Sequence, residues 1–456
     1  MVRKMINKVL IANRGEIAVR IIRACREMGI ATVAVYSEAD KEALHTQLAD
    51  EAVCIGPARA ADSYLNMQNL LSAAVLTKAN AIHPGFGFLS ENSTFASMCE
   101  QCNIKFIGPA GKTIDAMGNK SNAREMMIRA KVPVTPGSDG VIPDIDAAYK
   151  EAERIGYPVM VKASAGGGGK GIRIVRKKEE LAEAFESARS ETKAAFGDDS
   201  MYMEKLIENA RHIEVQILAD QYGNVVHLGE RDCSLQRKNQ KVLEESPSPA
   251  LDAKTRKEMC EAAVRAAKIA QYEGAGTIEF LYDKSGAFYF MEMNTRIQVE
   301  HPITEMVTGV DIVKEQIRIA NGERLSLHQN DIEFRGHAIE CRINAERPYA
   351  NFAPCPGKIE YLLMPAGCLG LRVDSAVYAN YDIPPFYDSM IAKVITHGDN
   401  RIEAIAKMKR ALHEFVIEGI DTNIEFQEEI LNNEKYIKGE FNTTFIEKEI
   451  LKNRNA

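Results

Sequence analysis

The chain has 456 residues, a length that exceeds one ordinary hydrophobic core and predicts two or three domains. Hydrophobic residues make up 45% and charged residues 27%, as in a globular protein, and the formal net charge of −7 argues against a general binder of nucleic acid or of an anionic membrane. Any site for an anion must therefore concentrate its cations locally.

The N-terminal stretch "MVRKMINKVLIANRGE" lacks an apolar run of signal-peptide length, and no stretch of about 18 apolar residues follows it. We therefore expect a cytoplasmic protein that does not cross a membrane. Nine cysteines are scattered along the chain without a disulfide framework. The close pair Cys99 and Cys102 is weak evidence for zinc, and reduced cysteines on a helix are the favoured interpretation.

Short β-branched runs alternate with helical patterns from Lys8 onward. Strands are predicted at 8–13, 31–37, 81–85 and 104–109, and helices at 15–30, 63–80 and 92–103. This alternation predicts a doubly wound parallel sheet that ends near Pro109. The first strand-to-helix turn, "ANRGEIA", lacks G-x-G-x-x-G, which disfavours a nicotinamide site. One further helix is predicted from Thr113 to Lys131.

The Pro- and Gly-rich stretch "VPVTPGSDGVIPD" predicts a boundary after this helix. A small segment up to Ile207 follows it, with a glycine-rich hairpin, helices at 145–155 and 178–193, and a strand at 200–207. The remainder is predicted as mixed α and β structure, with a hairpin at Tyr222-Gly223-Asn224 and a long helix from Ala253 to Gln271.

The segment "VKASAGGGGKGIRIV" places five glycines and one lysine in the six positions from Gly166 to Gly171. It fails the Walker A pattern, because Ser164 stands at the required first glycine and Gly171 follows Lys170. Both flanks are strand-like, so the glycines cap a hairpin whose backbone N–H groups can approach a polyphosphate, with Lys162 neutralising phosphate charge. A floppy surface turn is the alternative, but it does not require five glycines.

A second hairpin, "GTIEFLYDKSGAFYFMEMN", sets two carboxylates against each other. If 284–287 form the turn and Asp283 pairs with Phe288, Glu279 lies directly opposite Glu292. Like charges at this spacing destabilise a sheet unless a cation compensates them. Asn294 shares the same face, and these hard oxygen ligands suit Mg²⁺ or Mn²⁺ shared with substrate phosphates. An exposed polar strand face, the alternative, fits poorly with the apolar flanks.

Polar residues continue to alternate beyond this hairpin. An extended chain through "EMNTRIQVE" would present one row of polar groups, namely Glu292, Asn294, Arg296, Gln298 and Glu300. This row predicts an active-site floor with a metal end, an anion-binding middle and a candidate base at Glu300. A second alternating set, in "IECRINAE", comprises Glu340, Arg342 and Asn344 and offers another guanidinium.

The stretch "ERDCSLQRKNQKV" is a local concentration of cations, comprising Arg231, Arg237, Lys238 and Lys241. In an acidic protein such a cluster is compatible with a small-anion site, and equally with a solvated polar face.

These motifs resemble those of biotin carboxylase, an ATP-grasp family. The resemblance covers essentially the whole chain and rests, in this order, on "IANRGEIAVRI", "HPGFGFLSEN", "FIGP", "MGNK", "KASAGGGGKG", "ERDCSLQRKNQKV", "FMEMNTRIQVEHPITE", "FYDSM" and "IEGIDTN". It implies an α/β architecture in three parts: a Rossmann-like pre-ATP-grasp domain at 1–112, an ATP-grasp domain at 113–333 with a mobile lid at 134–206, and a C-terminal α+β domain at 334–452.

The resemblance also implies a reaction in which ATP and bicarbonate give ADP and carboxyphosphate, which yields CO₂ for attack by N1′ of biotin. ATP would contact Lys120, Lys162, Gly168, Gly169, Glu204, Lys205, Leu206, Ile207, His212, Glu279 and Glu292. The metal, Mg²⁺ or Mn²⁺, would bind Glu279, Glu292 and Asn294. Bicarbonate would bind Lys241, Arg296, Gln298, the Val299 backbone and Glu300. The catalytic groups would be Arg296, Lys241, Glu300 as base and Arg342, which would stabilise the biotin enolate.

Three positions depart from the family pattern. Asn239 stands where a histidine is common, Ala165 replaces the first glycine of the loop, and Leu206 replaces an aromatic residue beside the adenine. None of these changes removes a catalytic group.

The resemblance implies a separate biotin carboxyl carrier protein, because "AKMKRA" at 406–411 lacks the second methionine of a biotin acceptor and lies in a helical pattern. It also implies a homodimer and carboxyltransferase subunits, with acetyl-CoA carboxylase as the favoured complex. A split pyruvate or other acyl-CoA carboxylase and a different ATP-grasp ligase are alternatives. A regulatory subunit without catalysis should have lost a metal ligand or Lys162, and neither is missing.

Overall fold

The computed structural model describes residues 5–163, 171–197 and 199–452. Its N-terminal part is a five-stranded parallel sheet whose strands, taken across the sheet, are Glu51–Gly56, Ala31–Ser37, Lys8–Ile11, Ala81–His83 and Lys105–Phe106. The helices around it are Gly15–Glu27, Leu44–Leu48, Met67–Leu76 and Ser93–Gln101, with single 3₁₀ turns at Glu38–Asp40 and Ala60–Asp62. The predicted doubly wound sheet is confirmed, and Glu51–Gly56 is a strand that the sequence pattern did not predict.

The alternation of apolar residues explains why both faces of this sheet are covered. On the central strand, Val9 and Ile11 pack into a core with Ile17 and Ile21 of the first helix. Leu10 points to the opposite face and packs with the helices Met67–Leu76 and Ser93–Gln101. Helices therefore lie on both faces, as a parallel sheet requires.

The predicted single helix from Thr113 to Lys131 is wrong, because the chain forms two helices, Gly111–Gly118 and Lys120–Arg129. Asn119 between them is extended, with φ −83° and ψ 109°, and its side chain accepts a hydrogen bond from Asn122 N at 3.0 Å. Asparagine is a strong N-cap because its side chain satisfies a free N–H at the start of a helix. The break makes Lys120 the first residue of the second helix.

A small subdomain follows, built on the three antiparallel strands Ile172–Val175, Val159–Ala163 and Met201–Lys205. The helices Ile145–Ile155 and Leu181–Phe196, the second preceded by the 3₁₀ turn Lys178–Glu180, pack on this sheet and enclose a core of their own around Phe185 and Val161. The predicted strands on either side of the glycines are confirmed. The glycine tip, residues 164–170, lies outside the described residues.

An eight-stranded antiparallel sheet forms the centre of the rest of the chain. Across the sheet its strands are Phe288–Asn294, Gly274–Tyr282, Arg211–Ala219, Val225–Arg237, Gln240–Ser246, His337–Asn344, Met390–Gly398 and Leu371–Ser375. The sheet runs without interruption from the predicted ATP-grasp domain into the predicted C-terminal domain, where Glu244 pairs with Glu340.

Helices cover both faces of this sheet. Ala253–Ile269 packs on the strands of the first half, around Met259 and Ile278. His301–Thr308 packs through Ile303 on Ala338 and Ile395, on the same face as Arg342. The remaining helices are Ile312–Ala320, Arg401–His413, Ile424–Asn432, Glu434–Ile437 and Ile446–Leu451, with 3₁₀ turns at Gln329–Asp331 and Pro348–Ala350.

Three two-stranded ribbons complete the C-terminal part, pairing Glu346–Arg347 with Ala353–Pro354, Gly357–Lys358 with Asp382–Ile383, and Tyr361–Leu363 with Val416–Glu418. Within the described ranges, every helix falls short of the length and apolarity that a crossing of the bilayer requires.

Candidate active site

One large cavity, with a volume of about 1940 Å³, opens where the N-terminal sheet, the small subdomain and the eight-stranded sheet meet. Its lining brings together most of the residues singled out in the sequence: Lys120, Lys162, Glu204, Lys205, Leu206, Ile207, His212, Lys241, Glu279, Glu292, Asn294, Arg296, Gln298, Val299 and Arg342. Glu300 lies directly behind the lining, bonded to Lys241 and Arg342. Gly168 and Gly169 are outside the described residues.

The two carboxylates predicted to oppose each other do so. The turn register itself is wrong by one residue, because Tyr282, not Asp283, pairs with Phe288. A bulge between the pairs Phe280–Phe290 and Glu279–Glu292 adds one residue to the second strand and corrects this shift. Glu279 therefore lies opposite Glu292 as predicted. The bulge therefore determines which side chains of this hairpin reach the cavity.

The surroundings of Glu279 keep it ionised. Its Oε1 accepts hydrogen bonds from Lys241 Nζ at 3.0 Å and from Gln298 Nε2 at 3.1 Å, and His212 Nε2 lies 3.2 Å from its Oε2. Burial alone would raise the pKa of Glu279, but Lys241 and His212 outweigh it and hold the pKa well below its usual range. The same carboxylate raises the pKa of His212, which burial alone would lower.

The donor set on this hairpin fits a hard divalent cation. Glu292 faces the cavity, yet the surrounding protein limits its solvation, and this desolvation together with the charge of Glu279 raises its pKa. Among the described residues, no hydrogen bond or ion pair engages its carboxylate. Asn294 adds an amide oxygen, and its buried Nδ2 has no partner in the described part of the chain. Two carboxylates and an amide oxygen match the ligands of Mg²⁺ or Mn²⁺.

Lys241 is the positive centre of the site. Its ammonium lies 2.6 Å from Glu214 Oε2, 3.0 Å from Glu279 Oε1 and 2.6 Å from Glu300 Oε1. Burial alone would lower the pKa of Lys241, but the three carboxylates raise it well above its ordinary value. Lys241 is therefore a permanent cation on the wall of the cavity.

Glu300 is completely buried and is held by two cations. Lys241 donates to its Oε1, and Arg342 Nη2 donates to its Oε2 at 2.9 Å. Burial alone would raise the pKa of Glu300, but Lys241 and Arg342 bring it well below its usual range. The second face of Arg342 is anchored by Glu244, whose Oε1 lies 2.6 Å from Nε. The carboxylate is therefore ionised in the free protein.

Arg296 is oriented by a residue that the sequence did not single out. Its Nε donates to Glu91 Oε2 at 2.8 Å, and Glu91 Oε1 also accepts from Thr295 N at 2.9 Å. On the cavity side, Arg296 donates to Gln298 Oε1 at 2.8 Å and to Asn294 Oδ1 at 3.2 Å. Glu91 is 205 residues from Arg296 in the sequence, so a local sequence pattern cannot predict this contact.

The expected extended conformation through "EMNTRIQVE" is only partly correct. The strand ends at Asn294, and the helix His301–Thr308 begins directly after Glu300. The bonds from Arg296 to Asn294 and Gln298 gather the polar groups toward the cavity without a strand. The predicted grouping of these side chains is therefore present, but the extended strand from which it was predicted is not.

At the opposite end of the cavity, the small subdomain supplies charged groups. Lys162 is ion-paired with Glu204, and Arg124, which the sequence did not single out, lies 3.6 Å from the same carboxylate. Lys205 donates to the carbonyl oxygens of Gly156 and Tyr157 at 2.8 and 2.9 Å, so its ammonium is committed to the subdomain.

The cationic stretch "ERDCSLQRKNQKV" does not converge on one site. Arg231 is completely buried and bonds Glu214, Gln216, Thr304 and Thr277 at 2.6 to 3.2 Å. Arg237 instead donates to Asn351 O at 2.7 Å. Irregular pairing between Asp232 and Gln236 and the turn that follows the strand send these side chains in different directions, and Lys241 on the next strand reaches the acidic centre. A single anion site or a solvated face is therefore wrong for the cluster as a whole.

The unexpected Asn239 lies in a tight turn. Lys238 and Asn239 join the strands Val225–Arg237 and Gln240–Ser246, with φ of +47° and +66°. A two-residue hairpin turn with positive φ at both positions favours asparagine, whose side chain tolerates the left-handed region. The turn borders the cavity.

Three family models match most of the chain. The model of the biotin carboxylase N-terminal domain matches residues 5–114, that of the ATP binding domain of the carbamoyl-phosphate synthase L chain matches 119–328, and that of the biotin carboxylase C-terminal domain matches 340–448. These models fall in the same order as the three parts of the fold.

The chain is also similar over nearly its whole length to named relatives. It is 62% identical to biotin carboxylase 1 of Bacillus subtilis, covering 97% of this chain and 98% of the relative. It is 56% identical to one of the pyruvate carboxylase subunits of Methanothermobacter thermautotrophicus, covering 97% and 90%. The biotin carboxylase domain dimer of Hydrogenobacter thermophilus 2-oxoglutarate carboxylase, solved with MgADP, ADP and bicarbonate, superposes with a TM-score of 0.90 at 52% identity over 97% and 98% of the two chains.

Opposed carboxylates on a hairpin, facing the small subdomain across a deep cavity, together with the match to an ATP binding domain, define an ATP-dependent ligase of the ATP-grasp class. Within that class, the chain belongs to the biotin carboxylase family.

Proposed function

We propose that the protein catalyses the ATP- and bicarbonate-dependent carboxylation of biotin held by a biotin carboxyl carrier protein. The observation that carries this proposal is the convergence of Lys241 and Arg342 on the buried carboxylate of Glu300, beside the Glu279–Glu292 pair. A base flanked by two fixed cations suits a substrate that is itself an anion and must lose a proton.

The nucleotide occupies the end of the cavity that faces the small subdomain. Lys120 and Lys162 neutralise the phosphates, and phosphate contact is also assigned to Gly168 and Gly169, which lie outside the described residues. Glu204, Lys205, Leu206, Ile207 and His212 line the remaining wall for the adenine and ribose, where Lys205 contributes through its backbone because its ammonium is engaged elsewhere.

The metal is Mg²⁺ or Mn²⁺, held by Glu279, Glu292 and Asn294. When bound, it neutralises the charge of the transferring phosphoryl group. Lys241 and His212 keep Glu279 ionised and thereby available as a ligand.

Bicarbonate binds in the middle of the cavity, on Lys241, Arg296, Gln298 and the Val299 backbone. Glu300 accepts its proton as the bicarbonate oxygen attacks the γ-phosphorus of ATP, which gives carboxyphosphate and ADP. Carboxyphosphate then breaks down to CO₂ and phosphate. The phosphate released in this step takes the N1′ proton of biotin, Arg342 stabilises the resulting enolate, and its N1′ attacks CO₂ to give carboxybiotin.

The three parts of the chain have boundaries that we place at 1–112, 113–333 and 334–452, with a lid at 134–206. The lid proposal is supported by the separate core of the small subdomain. A homodimer and a separate carrier protein are supported by the family membership, and "AKMKRA" lies within the helix Arg401–His413, where a biotin-accepting turn is not available. The cytoplasmic location stays a prediction.

The acceptor of the carboxyl group is acetyl-CoA, through carboxyltransferase subunits of an acetyl-CoA carboxylase that makes malonyl-CoA for fatty acid synthesis. Service to a split pyruvate carboxylase is the second candidate, favoured by the 56% identity to a pyruvate carboxylase subunit. Pull-down of the purified chain with the carboxyltransferase subunits of each complex distinguishes the two.

The catalytic proposal is tested by phosphate release from ATP in bicarbonate and Mg²⁺, with and without free biotin. We expect biotin to stimulate release, and stimulation to vanish when bicarbonate is removed. Equal phosphate release with and without biotin would refute the proposal.

A further inference from the structure

Lys393 lies on the strand Met390–Gly398, and its side chain is completely buried. Its ammonium donates a hydrogen bond to the carbonyl oxygen of Val299 at 2.8 Å. Glu16 Oε1 lies 3.0 Å and Asp374 Oδ2 lies 4.0 Å from the same nitrogen. Three distant segments therefore meet on one buried ammonium: the first helix, an edge strand and the turn that precedes Glu300.

Core packing alone does not account for a charge at this position. Removing an ammonium from water is costly, and an apolar side chain of similar size would fill the same space without that cost. A cation at this position balances the charges of Glu16, Asp374 and the buried Glu340, and it also supplies a strong directional bond to the Val299 oxygen.

The Val299 oxygen is a sensitive point of the site. Because the peptide group is planar, a bond to this oxygen fixes the plane that joins Val299 to Glu300. That peptide belongs to no strand or helix, since the strand ends at Asn294 and the helix begins at His301. Val299 lines the cavity, and the Glu300 side chain is held from the cavity side by Lys241 and Arg342. Lys393 holds the same peptide from behind.

We propose that Lys393 is a positioning residue for bicarbonate use: its bond to the Val299 oxygen fixes the peptide from which the Glu300 side chain originates and which adjoins the Val299 N–H that would receive the anion. This inference rests on the proposed function. Asp374 is in turn fixed by Arg372, whose Nε and Nη2 donate to its two oxygens at 2.8 and 2.6 Å. The carboxylate of Asp374 that faces the Lys393 ammonium is therefore itself fixed by two hydrogen bonds.

The test replaces Lys393 with methionine, which keeps the length of the side chain and removes its charge. We expect the KM for bicarbonate to rise roughly ten- to one-hundred-fold, the worth of a hydrogen bond to a charged group, and the KM for ATP to stay unchanged. Because Lys393→Met leaves Glu16 uncompensated, the double variant Lys393→Met/Glu16→Gln is measured beside Glu16→Gln alone. The double variant removes one positive and one negative buried charge together and decides the question if the single variant fails to fold.

Arg401→Met is the matched control, because Arg401 also pairs with a buried carboxylate, Glu245, at 2.6 Å, but on the opposite side of the sheet from the Val299 turn. It should lower thermal stability and leave the KM for bicarbonate unchanged. Two results would overturn this inference and leave the proposed function standing. One is a folded double variant whose KM for bicarbonate and kcat equal those of Glu16→Gln. The other is an equal rise in the KM for bicarbonate and the KM for ATP. A wild-type protein without bicarbonate-dependent, biotin-stimulated phosphate release would remove the proposed function as well.

Discussion

Lys241 Nζ lies 2.6 Å from Oε1 of Glu300, and the exposed fractions of the two side chains are 11% and 0%. An anion that enters the cavity at Lys241 shares the charge that now stabilises the Glu300 carboxylate. Because a nearby cation depresses the pKa of a carboxyl group, sharing that cation raises the pKa of Glu300. The base is therefore weak in the free protein and becomes a stronger proton acceptor when its substrate arrives.

This relationship predicts the behaviour of Glu300→Gln. The amide keeps the size of the side chain and most hydrogen bonds but cannot accept a proton at neutral pH. We expect biotin-stimulated turnover to fall about 10²- to 10⁴-fold, the usual contribution of a general base, while ATP still binds. Phosphate release and equilibrium binding of ATP measure the two effects.

Glu245→Gln is the control for this variant. Glu245 is also a buried glutamate, but its carboxylate bonds Arg401 and His337 and not the residues of the site. It should lose stability and keep turnover within a few-fold. Unchanged turnover in Glu300→Gln would remove Glu300 from the role of base.

The hairpin carboxylates predict a metal-dependent phenotype for Glu292→Gln. The variant removes one anionic ligand of the proposed cation and relieves the repulsion with Glu279 across the strand pair. We expect the Mg²⁺ concentration for half-maximal activity to rise about tenfold or more, and the melting temperature without Mg²⁺ to stay the same or rise. Glu258→Gln, an exposed position on the helix Ala253–Ile269, is the control. An unaltered Mg²⁺ dependence in Glu292→Gln would exclude this carboxylate as a ligand.

Arg342 should contribute to both halves of the reaction. Arg342→Gln removes the proposed support of the biotin enolate and one of the two cations on Glu300. We expect biotin-stimulated turnover to fall about 10²- to 10³-fold, in the range found for lost electrostatic stabilisation of a developing anion. ATP affinity should be retained. A variant that keeps full biotin stimulation would show that Arg342 has no part in the biotin half-reaction.

Buried neutral histidines predict acid instability. His83 is completely buried in the first sheet, and burial lowers its pKa from 6.5 to about 3. In the unfolded chain it binds a proton below about pH 6.5, so the unfolded state gains protons first and the contribution of His83 to stability is lost as pH falls from 6.5 toward 3. The free energy involved is about 2 kcal/mol at pH 5.

The measurement is the change in unfolding midpoint between pH 8 and pH 5 for the wild type and for His83→Gln. The variant starts from a lower stability at pH 8 and should lose less of it on acidification. Parallel losses in the two proteins would contradict the depressed pKa of His83.

Some of the site could be read from the sequence because its information is local. The opposition of Glu279 and Glu292 follows from one hairpin. The predicted turn is wrong by one residue, and a bulge that the sequence pattern does not indicate compensates this shift. The strands around the glycines are likewise local. Lys120, taken from its motif, lines the cavity, although the helix expected around it breaks at Asn119.

The contacts that could not be predicted join distant segments. Glu91 reaches Arg296 across 205 residues, and Lys393 reaches Val299 across 94. Lys393 looks like an ordinary charged residue in its local sequence, and the motif "HPGFGFLSEN" that contains Glu91 does not indicate its partner. Only the packing of the first domain and of the C-terminal strands against one turn reveals what they hold, because such contacts depend on tertiary structure and not on periodicity.

The most direct test of the central claim is transfer of label from radioactive bicarbonate to biotin. The purified protein is incubated with ATP, Mg²⁺, labelled bicarbonate and the biotinylated carrier domain, and the carrier is separated from free bicarbonate at alkaline pH. We expect label on the carrier that requires ATP and is lost in Glu300→Gln. Phosphate release without any label on the carrier would contradict it.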